Sequence, residues 1–387
     1  MTDIQRSTEI LEKLVGFDTT SRNSNLPLIG WVESYLKGHG VTFERIPDKA
    51  GAKANIWATI GPADTPGYIL SGHSDVVPVD GQSWTSDPFR LARRDGKLYG
   101  RGATDMKGFV ACCLAAVPEM KARPLKRPIH LAISYDEEVG CIGVMDIIAR
   151  IKTFAVKPAG CFVGEPSLMG VVVGHKSKRS MRITVHGRTV HSSLAPQGVN
   201  AVEYAARLIV KIRDISERLA REGARDPLYD VPFTTGHTGI VNGGIALNVV
   251  PDSCTFEMEF RAIGADDVDA LADEVITYGR EVLEPAMKAV APEAGITFVD
   301  RSNFPGLNTP ADDDVVVLAK QLVGTNAYSK VAYGTEAGRF SAAGIPSVVI
   351  GPGSIDQAHK ADEFIAESEM AKCVAFIDRL TDSCAAG

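Results

Sequence analysis

Nowhere in the 387 residues does an uninterrupted apolar run reach the length of about 18 that a membrane-spanning helix needs. Surplus positive charge is also lacking. Lysine and arginine total 41 against 48 aspartates and glutamates, a formal net charge of −7. No basic stripe marks a nucleic-acid partner, and the charge speaks for solubility rather than for a partner. Cysteines are few and scattered: seven, at 112, 113, 141, 161, 254, 373 and 384, without a C-x-x-C pair. That suits free thiols used as small core residues in a reducing compartment. Residues 1–10 lack the basic segment and apolar stretch of a secretion signal, so the expected location is the cytoplasm. No P-loop occurs, and Gly100-x-Gly102 does not complete a dinucleotide fingerprint. Gly72-His73-Ser74-Asp75-Val76 begins like a serine nucleophile elbow, yet Val76 stands where the second glycine is required.

What is present is an ordinary globular composition, 45% apolar and 23% charged. At about 150 residues per domain the length predicts two or three units. Helices are expected over 3–15 and 28–39, and a strand pair over 41–46 and 54–60. Tyr68-Ile69-Leu70 is a short apolar run ending in Ser71-Gly72-His73, the pattern of a buried strand with a loop at its carboxyl end. Residues 128–135 form another such run, ending in Asp136-Glu137-Glu138. A third, 160–164, ends in Glu165-Pro166, and a fourth covers 345–351. A helix is expected from near Met106 to Lys121, and a closing helix over 366–384. Strands alternating with helices predict an α/β fold with a mostly parallel sheet. Ligands bind beyond the carboxyl ends of such strands.

The period changes near residue 180. Met181, Ile183 and Val185 alternate with Arg182, Thr184 and His186, and Cys254, Phe256, Met258 and Phe260 alternate with polar neighbours. Period two with one polar face predicts antiparallel, half-exposed strands. Helical spacing over 198–220 and a helix over 266–285 complete a β-α-β-β-α-β order, an inserted α+β unit. The expected division is 1–179 and 303–387 for a catalytic domain, with 180–302 inserted between them.

Five candidate metal ligands stand at separate strand ends or loops: His73, Asp105, Glu138, Glu165 and His359. Two imidazoles and three carboxylates suit zinc or a similar divalent ion. A carboxylate can bridge two ions about 3.5–4 Å apart, and such a pair clamps the attacking and leaving oxygens of a hydrolysis. Five ligands with one bridging give three per ion and leave each an open position. Taken alone, Asp105 reads equally well as the cap of the helix that follows it.

Gly72-His73-Ser74-Asp75-Val76-Val77-Pro78, the segment from Tyr99 to Gly108, Asp136-Glu137-Glu138-Val139-Gly140 and Gly164-Glu165-Pro166-Ser167 resemble, in order, the four metal boxes of the di-zinc aminoacylase and carboxypeptidase family of metallohydrolases. The resemblance spans nearly the whole chain. The segments 333–338 and 351–364 resemble the acetylornithine deacetylase branch, where succinyl-diaminopimelate desuccinylases usually differ; Ala361 replaces a commoner proline.

The resemblance implies a di-metal hydrolase domain carrying a dimerisation and lid domain. The implied reaction is hydrolysis of N2-acetyl-L-ornithine to L-ornithine and acetate, in arginine biosynthesis. N-succinyl-diaminopimelate, other N-acyl amino acids and dipeptides remain open as substrates. Two divalent ions are implied, zinc first, with cobalt or manganese as alternatives. His73, Asp105 and Glu165 would hold one, and Asp105, Glu138 and His359 the other. Asp75 would accept a hydrogen bond from His73 and fix its ring. Glu137 would be the general base. His191, in Gly187-Arg188-Thr189-Val190-His191-Ser192-Ser193, would reach the oxyanion from the small domain of a partner subunit, which implies a homodimer. Asn248 and Arg261 would contact the substrate carboxylate, with Arg339 as a rival reader. Glu336 would favour the ornithine ammonium. A non-catalytic metal-binding protein would be expected to lose Glu137 or a ligand, and all are present.

Overall fold

The structure is a computed structural model that describes residues 3–386. The strands, in chain order, begin with β1 (Thr42–Pro47), β2 (Ala54–Ile60), β3 (Tyr68–His73), β4 (Ala92–Arg94), β5 (Lys97–Tyr99), β6 (Ile129–Ser134), β7 (Gly160–Val163) and β8 (Val172–His175). Alternating sequence supplies β9 (Ser177–His186), β10 (Thr235–Gly243), β11 (Ser253–Ala262) and β12 (Gly295–Phe304). β13 (Leu307–Asn308), β14 (Ser329–Val331), β15 (Ser347–Val349) and β16 (Phe364–Ala366) follow. The chain divides into two compact units. One comprises Met1–Gly174, Leu307–Lys330 and Thr335–Gly387; the other comprises His175–Gly306 and Val331–Gly334.

The first unit is built on a sheet in the order β1-β2-β6-β3-β7-β15-β8-β13, with β14 on β8. Its centre is parallel: β6 with β3, β3 with β7, and β7 with β15. Antiparallel pairs flank it, β1 with β2, β2 with β6 and β8 with β15. β3 and β6 are buried at every position, which is why they read as unbroken apolar runs rather than alternating ones. Phe162 of β7 meets Phe376 of the last helix edge-on at 5.4 Å. Full burial of such side chains is worth about 1.5–3 kcal/mol each. No helix among the described residues is long and apolar enough to cross a membrane.

Two expected helices are interrupted, each at a proline. The one predicted from Met106 begins at Gly108, ends at Ala115 and resumes over Val117–Ala122. Pro118 has no N–H to give the carbonyl of Leu114, and the hydroxyl of Tyr35 donates to that carbonyl instead, at 3.0 Å. The helix predicted over 266–285 runs Val268–Thr277, widens over Tyr278–Leu283 and continues as Glu284–Val290 around Pro285.

The second unit is a four-stranded antiparallel sheet, β10-β11-β9-β12. On β9 the residues Met181, Ile183 and Val185 are buried while Arg182 and His186 are exposed. Phe256, Met258 and Phe260 of β11 share a core with Leu208, Ile212 and Ile215 of the helix Ala201–Glu222. That helix starts where the Asn200 side chain accepts from the N–H groups of Val202 and Glu203, at 3.1 and 3.2 Å, which satisfies two otherwise unpaired donors. A third, small sheet, β16-β5-β4, lies in the first unit.

Candidate metal centre

Parallel pairing puts the carboxyl ends of β3, β6, β7 and β15 on one edge of the sheet. His73 closes β3 opposite Ser134, the last residue of β6, so Glu137 and Glu138 follow in the adjacent loop. Ser71 pairs with Val163 at the end of β7, and Glu165 comes two residues later. Close approach beneath Glu165 depends on glycine. A Cβ on Gly164 would stand 2.0 Å from the Phe109 ring, and one on Gly351 would stand 1.9 Å from the Gly164 carbonyl oxygen. Asp105 comes from the irregular turn Ala103–Lys107 ahead of the helix Gly108–Ala115. His359 comes from the loop after β15, in a left-handed conformation with φ 63°.

These five side chains converge. His73 Nε2 lies 3.1 Å from Asp105 Oδ1 and 3.7 Å from Glu165 Oε1. His359 Nε2 lies 3.2 Å from Asp105 Oδ2 and 3.1 Å from Glu138 Oε2. Asp105 thus turns one oxygen to each imidazole. Ligand atoms of His73, Asp105 and Glu138 lie within 4.8 Å of one another, as do those of His73, Glu137 and Glu165. His73, Asp105 and Glu165 are buried, whereas the His359 side chain is 52% exposed.

The electrostatics show what this cluster needs. Burial, then Glu138, raises Glu137 to about 8 against the pull of His73. Burial, then Asp105, raises Glu138 to about 7. Burial, with Asp105 and Glu137, pushes Glu165 well above the carboxylate range. Hydrogen bonds to Asp105 and Glu138 lift His359 to about 10. Burial opposes charge on His73, yet Asp105 and Asp75 hold its pKa well above the usual value. Crowded, buried carboxylates of this kind resist ionising together. Divalent cations among them would neutralise the excess, and the N/O donor set suits such ions. The donor set therefore fits divalent cations, and Asp105 is the side chain that faces both imidazoles.

Asp75 offers the His73 ring two acceptors, its main-chain carbonyl and its carboxylate. The His73 ring donates through Nδ1 to the main-chain carbonyl of Asp75 at 2.9 Å, and the Asp75 carboxylate stands 3.5 Å away. A carbonyl only accepts, so Nδ1 carries a proton, and Nε2 is the ring nitrogen that would be offered to an ion. The Asp75 carboxylate also accepts from the N–H of Glu137 (3.1 Å), the N–H of Glu138 (3.3 Å) and the Ser21 hydroxyl (2.7 Å). It fixes the loop that presents both glutamates. Glu137 itself accepts from the Cys141 thiol at 3.1 Å.

Glu336 requires a correction. It is fully buried, and its two oxygens accept from the hydroxyls of Ser71 (2.6 Å) and Ser134 (2.8 Å). It ties β3 to β6 from within and does not present its carboxylate to a substrate ammonium. Arg339 is half-buried and donates to the Gly140 carbonyl at 3.3 Å, beside the loop of Glu137.

The remaining candidates lie in the second unit. Arg261, on β11, donates to Glu259 at 2.8 Å. His191 and Asn248 come together there: Ser192 N–H donates to the Asn248 carbonyl at 3.0 Å, and His191 bridges Val249. The exposed His191 ring accepts the Ser193 N–H at Nδ1, 3.2 Å away. Its Nε2 therefore carries the proton and is a donor.

Residues 69–383 match the family described as Peptidase family M20/M25/M40. The chain belongs to the M20 family. Among curated M20 relatives, it is 34% identical over 376 residues to an acetylornithine deacetylase of Myxococcus xanthus, covering 95% of each chain. In fold it is similar to an M20 family metallo-carboxypeptidase of Sulfolobus solfataricus (TM-score 0.77, 17% identity, 98% of this chain and 99% of the other). It is also similar to a dinuclear metal-binding M20 peptidase of Bacillus subtilis (TM-score 0.67, 14% identity, 98% and 97%). This M20 member is a hydrolase acting on amide bonds.

Proposed function

We propose that this M20 enzyme removes the acetyl group of N2-acetyl-L-ornithine, releasing L-ornithine and acetate, a step of arginine biosynthesis. Hydrolysis rests above all on Asp105, whose two oxygens face His73 and His359 inside a buried carboxylate cluster. The choice of substrate rests on the likeness to the Myxococcus xanthus acetylornithine deacetylase along 95% of the chain. Zinc is the proposed ion, held by His73, Asp105 and Glu165 on one side and by Asp105, Glu138 and His359 on the other. When bound, such a pair polarises the amide carbonyl and makes water nucleophilic near neutral pH.

The protein's own groups do the rest. Glu137 takes the proton of the attacking water and passes it to the leaving amine. Asp75 keeps Glu137 and Glu138 in place through their N–H groups. His191, with its proton on Nε2, donates to the developing oxyanion. Asn248 and Arg261, with Arg339 as the rival, read the substrate carboxylate. The enzyme acts as a cytoplasmic homodimer in which His191 is delivered across the subunit interface. Seven buried thiols without a disulfide among them support the reducing compartment.

Metal-reconstituted enzyme is to be assayed on N-acetylornithine, N-succinyl-diaminopimelate, N-acetylmethionine and a dipeptide, with and without chelator. A preference for N-acetylornithine that chelation abolishes is expected. Chelator-sensitive preference for another member of the panel would replace the substrate and leave the hydrolase. The shared site has its own test. His191→Ala and Glu137→Ala proteins, each with lowered turnover alone, should regain activity when mixed and allowed to exchange subunits. No recovery in a mixture shown to have exchanged would remove the cross-subunit role of His191.

A further inference from the structure

We propose that Glu363 is a positioning residue of the metal centre, locking the turn that carries Asp105 to the loop that carries His359. This rests on reading those two residues as ligands. The small sheet brings the segments together: Phe364 of β16 pairs with Tyr99 of β5, and the Gly100 N–H donates to the Glu363 carbonyl at 2.9 Å. That register sets the Glu363 side chain beside residues 101–105. Only 1% exposed, its carboxylate must be fully paired to be tolerated there.

It is fully paired. Oε2 accepts from Arg101 Nη1 (2.8 Å) and the Gly102 N–H (3.0 Å), and Oε1 accepts from the N–H groups of Thr104 (2.9 Å) and Asp105 (3.1 Å). Three backbone donors and a guanidinium thus converge on one anion. Asp105 has an extended backbone inside a turn, φ −123° and ψ 92°, so regular helical bonding does not hold its N–H. The Glu363 carboxylate does, which fixes the direction in which the Asp105 oxygens face the two histidines. The same arginine reaches the other ligand. Arg101 is also 1% exposed; it donates to the Lys360 carbonyl at 3.2 Å and to the Gln82 side chain, and Gln82 Nε2 donates to the His359 carbonyl at 2.8 Å. One buried ion pair therefore touches the main chain of both ligand-bearing loops.

Partners that orient a ligand typically change metal affinity about 10–100-fold when removed, whereas a purely structural ion pair changes stability and leaves the bound ion's surroundings alone. The test is Glu363→Gln, which keeps the shape but turns an NH₂ group toward backbone donors. Equilibrium binding of Zn²⁺ and the visible spectrum of the Co²⁺-loaded protein are compared with the unaltered enzyme. The expected result is affinity about 10–100-fold weaker, with a changed Co²⁺ band pattern. Unchanged affinity and spectrum would overturn the proposal even if the melting temperature fell. If E363Q does not fold, R101K is measured in the same way: the carboxylate stays, and a smaller loss in the same direction is expected, with no change again decisive against. If the unaltered enzyme binds no Zn²⁺, the reading of Asp105 and His359 as ligands fails first, which separates the two failures.

Discussion

Glu137→Ala is expected to lower turnover by about 10²–10⁴-fold, the usual contribution of a general base, while both metal ions stay bound. The argument is positional. Asp105 and Glu138 approach His359, and Asp105 and Glu165 approach His73, each between 3.1 and 3.7 Å. Among the described residues Glu137 forms no such pair with an imidazole, and its carboxylate accepts from the Cys141 thiol. Yet it lies within 4.8 Å of ligand atoms of His73 and Glu165, close enough to reach a water held there. Metal content and kcat, measured on the same preparation, decide the matter. Loss of one metal equivalent would make Glu137 a ligand. Full metal content with unaltered kcat would remove it as the base.

Asp105→Asn should be the more damaging change, because one side chain serves both halves of the site. An asparagine amide presents an NH₂ to one side and has no charge to share between two cations. Both equivalents should bind more weakly. Loss of the carbonyl-polarising ion removes several kcal/mol of transition-state stabilisation, on the order of a thousandfold in rate at 1.36 kcal/mol per decade. Titration with Zn²⁺ alongside single-turnover kinetics checks both parts. A D105N protein that binds two equivalents as tightly as the original would end the bridging assignment.

The sequence made some of this legible and hid the rest for physical reasons. His73, Glu138 and Glu165 could be found because apolar runs buried on both faces announce parallel strands, and polar residues just past their ends stand out. The alternation on β9 and β11 was equally plain. β4, β5 and β16 have three residues each, too short for any period to emerge. Their pairing, which places Glu363 against the turn of Asp105, was therefore invisible. So was the full bonding at Asp75: pattern places the residue beside His73, but not its main-chain carbonyl against the ring or its carboxylate beneath the N–H groups of Glu137 and Glu138. Glu336 misled for a related reason. A motif says that an acid is near the strands, not whether it points outward or into the hydroxyls of Ser71 and Ser134. Pro118 and Pro285 are visible breaks inside helical spacing, and at both the missing N–H outweighs the spacing.

The free cysteines have a use that lies outside chemistry at the metal centre. All seven are buried, at most 5% exposed, so a thiol reagent meets them only when structure opens. Cys254 is the single one in the second unit, while the other six belong to the first. Alkylation followed by peptide mass analysis would therefore carry two separate clocks in one natural chain. The label on Cys254 would time the loosening of the β9–β12 sheet, and that on Cys161 or Cys373 the loosening of the catalytic core, without any reporter being engineered.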